Sequence, residues 1–364
     1  MKEGYRFVDC DMHIMEPTDL FDKYLDPAFK PRITSAMQPV DGGSTGMRRR
    51  PLWFFDGTPT SNDGNISQYN RIRGPLVGAR GNKNVMFAVE RGYDAEAQVI
   101  GMEMEGIDIA VLFPTAGLSF LARDDMDPQF SNAICRAYND WLHDFVQHSP
   151  DQLKMAAMLP VHDVNLACRE LHRCVKEYGA VGAFVRPNYV NGRYWHSTYW
   201  DPLYAMLQDL KVPLCFHEGT GSYYSTIEPR FGENRFMRHV ASHSTEMQLA
   251  LIALMLGGIF ESYPRLKVAF LEAQSWWVPG PVGPHRMGSA PAPSGRRALS
   301  EIDAVRILAA QLLLGDRERR ARGRRGRRTL GRRRQHLRVE RFSAFRFELP
   351  GGVGAGVAQF QHHP

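Results

Sequence analysis

Cysteine is scarce and has no paired pattern. The five residues Cys10, Cys135, Cys168, Cys174 and Cys215 are odd in number and contain no C-x-x-C spacing. A disulfide framework is therefore not expected, and a reducing, cytoplasmic setting fits. Long apolar runs are also lacking. Leu249 to Phe260, the longest candidate, is interrupted by Gly257-Gly258 and is too short for a membrane span. The opening MKEGYRFVDCDMHI has no apolar stretch of the signal-peptide kind. Lys, Tyr, Asn, Cys and Trp are all missing from Gly280 onward.

That last absence divides the chain. Gly280 to Pro364 carries 18 Arg against 6 acidic residues, while the preceding 279 residues hold 27 basic and 33 acidic ones. The formal charge of +6 thus combines an acidic body of −6 with a tail of +12. Overall basicity does not argue for nucleic-acid binding, because that reading would rest on the tail alone.

The 364 residues present allow one large barrel or two medium domains. Short apolar runs alternate with amphipathic segments. The strands are expected at Arg6–Val8, Ile107–Phe113, Lys154–Leu159, Ala180–Val185, Val212–Phe216 and Lys267–Leu271. Nearly all-apolar strands are those buried on both faces of a parallel sheet. Helices are expected over Asp127–His148, Val164–Tyr178, Pro202–Leu210 and Thr245–Phe260. In the first of these Asp127 is the N-cap, Pro128 opens the helix, and Ala133, Ala137, Trp141 and Phe145 share a stripe. This alternation predicts a parallel α/β fold. Residues 31–84, rich in Gly, Arg, Asn and Pro around Trp53-Phe54-Phe55, interrupt it as an insertion: a lid, an oligomer contact or a poorly ordered excursion.

Asp11 and His13 follow the first strand. On an extended segment they share one face, because strand side chains alternate. His217 follows a distant apolar strand, with Glu218 beside it as a supporting group. Taken singly, His13 reads equally as a turn histidine and His217 as a hydrogen-bonded core histidine. Their common placement at strand ends, where barrel enzymes keep functional groups, makes Asp11, His13 and His217 candidate ligands of a catalytic divalent metal.

The strings VDCDMHIMEP, IDIAVLFPT, CRAYNDWL, LPVHD, FVRPNYVNGR, DPLY, VPLCFHEGTG and HSTEMQLALIALMLGGIFESYPRLKVAFLEAQSWWVP, in this order, resemble the amidohydrolase-related (amidohydrolase 2) family. That family includes the aminocarboxymuconate-semialdehyde decarboxylase-like enzymes. The resemblance spans about Tyr5 to Pro279. It implies a (β/α)8 barrel of the TIM type with one divalent metal ion, and hydrolysis or non-oxidative decarboxylation of a small carboxylated or cyclic substrate. It places the first-strand ligand pair on Asp11 and His13, where His-x-His is commoner, and the strand-five ligand on His217. Zinc is the first expectation, and the Asp11 carboxylate brings manganese, iron and magnesium into range. A catalytic histidine that many members carry after strand six is replaced here by Glu272, so the acid/base is expected to be Glu272 or else His243. His243 also reads as a cap or hinge before the Thr245 helix. Arg186 and Asn188, after strand four, are candidates to hold a substrate carboxylate, with an ion pair or loop hydrogen bond as the plainer role. Trp276 and Trp277 would wall an aromatic substrate or pack under the strand-six loop, and His162 and His196 read as structural or solvent-facing. A homodimer is the assembly expected for such a barrel.

The tail departs from this pattern. Six strands precede Gly280 and a closed barrel needs eight, so strands seven and eight are expected to be missing or degraded. A helix is expected at Ser300–Leu314, and the Arg-rich run beyond it has no apolar periodicity. The family's last metal-site Asp, in a motif similar to Ser-Asp-Phe/Tyr-Pro-His, does not occur. Codons for Val339–Glu348 read one base later allow WSDFPHFDS, and the same offset from Ala304 allows PSEYxRRN. Residues 280–364 therefore read as an out-of-frame, disordered tail after a 1–279 barrel, with the shift between Trp277 and Ala304. Two alternatives follow: a catalytically dead scaffold lacking that Asp, and a genuine basic arm that binds nucleic acid.

Overall fold

Each apolar run is punctuated by Pro, Gly or a polar turn, and each becomes a strand of one curled parallel sheet. The computed structural model describes residues 6–40, 48–60, 87–88, 90–219, 228–232, 235–273, 277 and 312–314. The strands are β1 (Val8–His13), β2 (Ile33–Val40), β3 (Arg48–Phe55), β4 (Thr58–Pro59), β5 (Ile109–Phe113), β6 (Leu153–Met158), β7 (Gly182–Val185), β8 (Leu214–His217), β9 (Val268–Leu271) and β10 (Leu312–Leu314). Seven of them form a sheet in the order β1-β5-β6-β7-β8-β9-β10, and neighbours pair in parallel throughout. Every residue of β5, β7, β8 and β9 is buried. That accounts for their unbroken apolar character, since helices cover the outer face of such a sheet.

The helices begin where short carboxylate side chains can cap them. Asp94, Asp127 and Asp163 accept the N–H groups of Ala97, Gln129 and Leu166 at the heads of Ala95–Glu105, Pro128–Val146 and Val164–Glu177. Each such cap is worth about 1 kcal/mol. In Pro128–Val146 the residues Ala133, Ala137 and Trp141 are buried and Phe145 is half-buried, as the stripe predicted. No helix among the described residues is long and apolar enough to cross a membrane.

Three expectations change. The helix expected from Thr245 begins at Arg235 and runs to Leu256, so His243 lies inside it and is neither cap nor hinge. Neither Pro nor Gly interrupts Arg235–Leu256, and the polar Ser-His-Ser-Thr run, which resembles a cap, simply continues the helix. Second, the tail does supply a strand. The end of the expected Ser300–Leu314 helix is β10, with Leu312 opposite Val268 and Leu314 opposite Phe270. An apolar triplet satisfies the next slot beside β9, and short apolar runs do not distinguish strand from helix by period. Third, part of the 31–84 insertion is ordered sheet. β2 and β3 form an antiparallel hairpin from Ile33↔Phe55 to Val40↔Arg48. Its aromatic knot enters the core: the Trp53 ring meets Phe21 at 5.6 Å and Phe120 at 5.4 Å, both edge-on.

Candidate metal centre

β1 and β8 end close together at the carboxyl edge of the sheet. β1 extends through the Asp11-x-His13 pair instead of stopping before it, with a register irregularity between Asp9 and Met12 against β5. His217 is the last residue of β8. One donor atom from each of Asp11, His13 and His217 lies within 4.8 Å of the others. The Nε2 atoms of His13 and His217 are 3.1 Å apart, and His217 Nε2 is 3.3 Å from Asp11 Oδ1.

The remaining atoms of the three side chains are tied to the main chain. His13 Nδ1 lies 2.6 Å from the Pro114 carbonyl and His217 Nδ1 lies 2.8 Å from the Glu218 carbonyl. A carbonyl only accepts, so both Nδ1 atoms carry the hydrogen, and in its neutral form each ring turns an Nε2 lone pair toward the centre. Asp11 Oδ2 accepts the Glu272 N–H at 3.1 Å, and Asp9 Oδ1 accepts the Asp11 N–H at 3.0 Å. Two lone pairs facing each other at 3.1 Å repel unless a proton or metal cation lies between them. With a carboxylate beside them, the donor set of two imidazoles and an oxygen fits a divalent ion. Behind it, burial and the neighbouring carboxylates push the Cys10 thiol up to about 12, and burial pushes Cys215 up to about 12, so neither supplies a thiolate.

Glu272 and His243 join this centre. Glu272 Oε2 is 3.5 Å from His217 Nε2, 3.7 Å from His13 Nε2 and 3.8 Å from His243 Nε2. Burial works to raise the Glu272 carboxyl, but the His13, His243 and His217 imidazoles around it, in so far as they carry protons, hold it well below the usual carboxylate range. Burial works to lower His243; the Glu272 carboxylate it faces and the Glu218 charge outweigh it and raise the imidazole. His243 Nδ1 donates to the His239 carbonyl at 3.0 Å, one helical turn earlier, which leaves Nε2 to face Glu272.

Arg186 and Asn188 are buried after β7. The Arg186 guanidinium donates to the Leu121 carbonyl at 2.7 Å, to Ala122 at 2.6 Å, to Tyr189 at 2.9 Å and to the Asp124 carboxylate. These contacts brace the loop after β5. Trp276 lies outside the described residues, and Trp277 is buried with its Nε1 donating to the Ala273 carbonyl at 2.8 Å. His162 is structural, between the Ser131 hydroxyl at 2.8 Å and the Arg123 carbonyl at 2.6 Å.

Sequence reasoning passed over Glu16. Its carboxylate accepts the N–H groups of Thr115, Ala116 and Gly117 at 3.0, 2.9 and 2.9 Å, and so fixes the turn that carries the Pro114 carbonyl behind His13. The only sequence signal was its position three residues after His13.

The family model described as Amidohydrolase matches residues 8–298, which include every residue of this centre. The chain belongs to the amidohydrolase family. Among curated members it is 32% identical over 148 residues to a gamma-resorcylate decarboxylase of Polaromonas sp. (strain JS666 / ATCC BAA-500), covering 39% of this chain and 45% of that one. It is 23% identical over 196 residues to the 2-amino-3-carboxymuconate-6-semialdehyde decarboxylase of Dictyostelium discoideum, covering 48% and 52%. The chain thus spans about half the length of the curated amidohydrolase relatives it matches. Among solved structures, an amidohydrolase from Mycobacterium avium subsp. paratuberculosis K-10 superposes with a TM-score of 0.63 at 20% identity, covering 85% of this chain and 82% of that one. A dihydroxybenzoic acid decarboxylase from Polaromonas sp. JS666, with bound manganese and the inhibitor 2-nitroresorcinol, gives 0.54 at 20% identity, covering 85% and 78%. At that identity the likeness concerns the amidohydrolase barrel alone.

Proposed function

We propose that this chain is a metal-dependent carboxy-lyase or hydrolase, and that its substrate is a small carboxylated ring compound of the hydroxybenzoate kind. The observation that carries the reading is the pair of imidazole lone pairs meeting at 3.1 Å beside the Asp11 carboxylate. The names of the curated relatives support decarboxylation over hydrolysis. Asp11, His13 and His217 would hold the ion. When bound, a divalent metal supplies Lewis acidity toward a substrate oxygen or acidifies a water.

This chain's own residues then handle position and protons. The Pro114 and Glu218 carbonyls keep both ring nitrogens aimed inward. His243 Nδ1 is taken by the His239 carbonyl, and Glu272 Oε2 stands 3.8 Å from Nε2 to hold its proton. Protonated His243 is the donor for a ring carbon losing its carboxylate, or for a leaving group in hydrolysis. Asn188 and Trp276 remain the substrate contacts to test. Arg186 would act through the loop it braces. Zinc and manganese are the ions proposed first, because two imidazoles with carboxylate oxygen suit both.

The test is elemental analysis of the purified chain, with loss of ultraviolet absorbance from a panel of hydroxybenzoic acids. One divalent metal per chain and metal-dependent loss of substrate support the reading. A folded chain that takes up no zinc or manganese sinks it and leaves the second reading, a scaffold without catalysis, which the missing Ser-Asp-Phe/Tyr-Pro-His motif favours.

A further inference from the structure

We infer that Glu272 is itself a ligand of the metal, and that the proton-handling role falls to His243 alone. The inference rests on the metal reading of Asp11, His13 and His217, and deepens it.

The argument is first one of edge lengths. Donors held about 2.0–2.2 Å from a tetrahedral ion lie about 3.3–3.6 Å from one another. The His13–His217 and His217–Asp11 separations are 3.1 and 3.3 Å. Glu272 Oε2 adds 3.5 Å to His217 and 3.7 Å to His13. These four separations are close to such an edge, while the Asp11, His13 and His217 donors as a group span up to 4.8 Å, so the set is more open than a tetrahedron, and Glu272 Oε2 stands next to both imidazoles on it.

The second observation concerns the main chain. Glu272 adopts φ +55°, in the left-handed region. A non-glycine residue there costs on the order of 1–3 kcal/mol and persists only where its surroundings impose it. Its N–H is fastened to Asp11 Oδ2 at 3.1 Å, so one residue orients the first carboxylate through its main chain and delivers a second through its side chain. Two carboxylates and two imidazoles balance the charge of a divalent ion. His243, 3.8 Å from the same oxygen, is then paired with a ligand without being one.

The experiment uses the whole 364-residue chain, stripped with a chelator and titrated with Zn2+ in competition with a chromophoric chelator. The wild type, E272Q, E272D and H243Q are compared, and visible spectra are recorded after Co2+ loading. E272Q is expected to lose more than about 100-fold in Zn2+ affinity, beyond the 10–100-fold of an outer-shell partner. Its Co2+ spectrum is expected to shift in band position and intensity. H243Q is expected to keep the wild-type spectrum. An E272Q spectrum identical to wild type, whatever the affinity, overturns the inference and leaves the three-residue site standing. A folded wild type that binds neither ion overturns both. Circular dichroism of the stripped variants checks folding; if E272Q does not fold, E272D decides, since a shortened carboxylate that is a ligand must change the spectrum.

Discussion

The Glu16 carboxylate accepts the Gly117 N–H at 2.9 Å, across 101 residues. With its bonds to Thr115 and Ala116, that contact makes one buried side chain the cap of the turn behind His13. Removing it leaves three donors in a dry site, and hydrogen bonds to a charged group contribute about 1.5–3 kcal/mol. E16A is expected to lose at least about 3 kcal/mol in urea denaturation, and to bind metal less tightly because the Pro114 carbonyl is released. An unchanged unfolding midpoint would rule out the bracing role.

Gly117 is constrained from the other side. A Cβ there would meet Pro114 Cβ at 2.7 Å, Met158 Cε at 2.9 Å and Glu16 Oε1 at 3.0 Å. The Met158 tip can yield; the proline cannot. G117A is expected to cost about 1–3 kcal/mol through overpacking, measured by the same denaturation.

His162 predicts a pH dependence. Burial pushes its imidazole down to about 4 from an ordinary 6.5, with the Arg123 carbonyl only partly compensating. The folded state therefore favours the neutral ring. Its contribution is complete above pH 6.5 and is lost as pH falls toward 4, an effect of about 3 kcal/mol. H162Q is expected to flatten the stability curve across that window. A slope equal to wild type would show that other groups govern acid unfolding.

Arg186 separates two roles by stability. As a brace on Leu121, Ala122, Tyr189 and Asp124 it should not tolerate R186M, which is expected to cost about 2–4 kcal/mol. As a substrate clamp it would leave the unfolding midpoint in place and raise KM only.

The coding DNA between the codons of Trp277 and Ala304 tests the tail. A single-base insertion or deletion against homologous reading frames is expected there. Restoring the frame should replace the Arg-rich run with a segment carrying the late Asp motif and raise metal affinity. A continuous frame with no such lesion would make the tail native.

The sheet was legible because buried parallel strands are apolar on both faces, so β5 to β9 stand out as short runs with polar ends. The grouping of Asp11, His13 and His217, whose donor atoms lie within 4.8 Å of one another, was legible because Asp11-x-His13 and His217 sit at such ends. What stayed hidden depends on the main chain. The left-handed turn at Glu272, the carbonyls of Pro114 and Glu218 that select ring tautomers, and the cap by Glu16 leave no residue-type signature. The Arg235–Leu256 helix was cut short by its serine run, and β10 was read as helix because three leucines have no period. Trp53 and Phe55, noted as an aromatic knot, could not be assigned to the core without the hairpin that carries them inward.

The left-handed turn at Glu272 sets durability against chemistry at one position. Asn or Gly would relax that backbone, so E272N or E272G recovers the strain of the turn while abandoning the carboxylate and its imidazole neighbours. A screen for fold quality alone that accepted those variants would discard the proposed metal ligand without any visible defect in the fold.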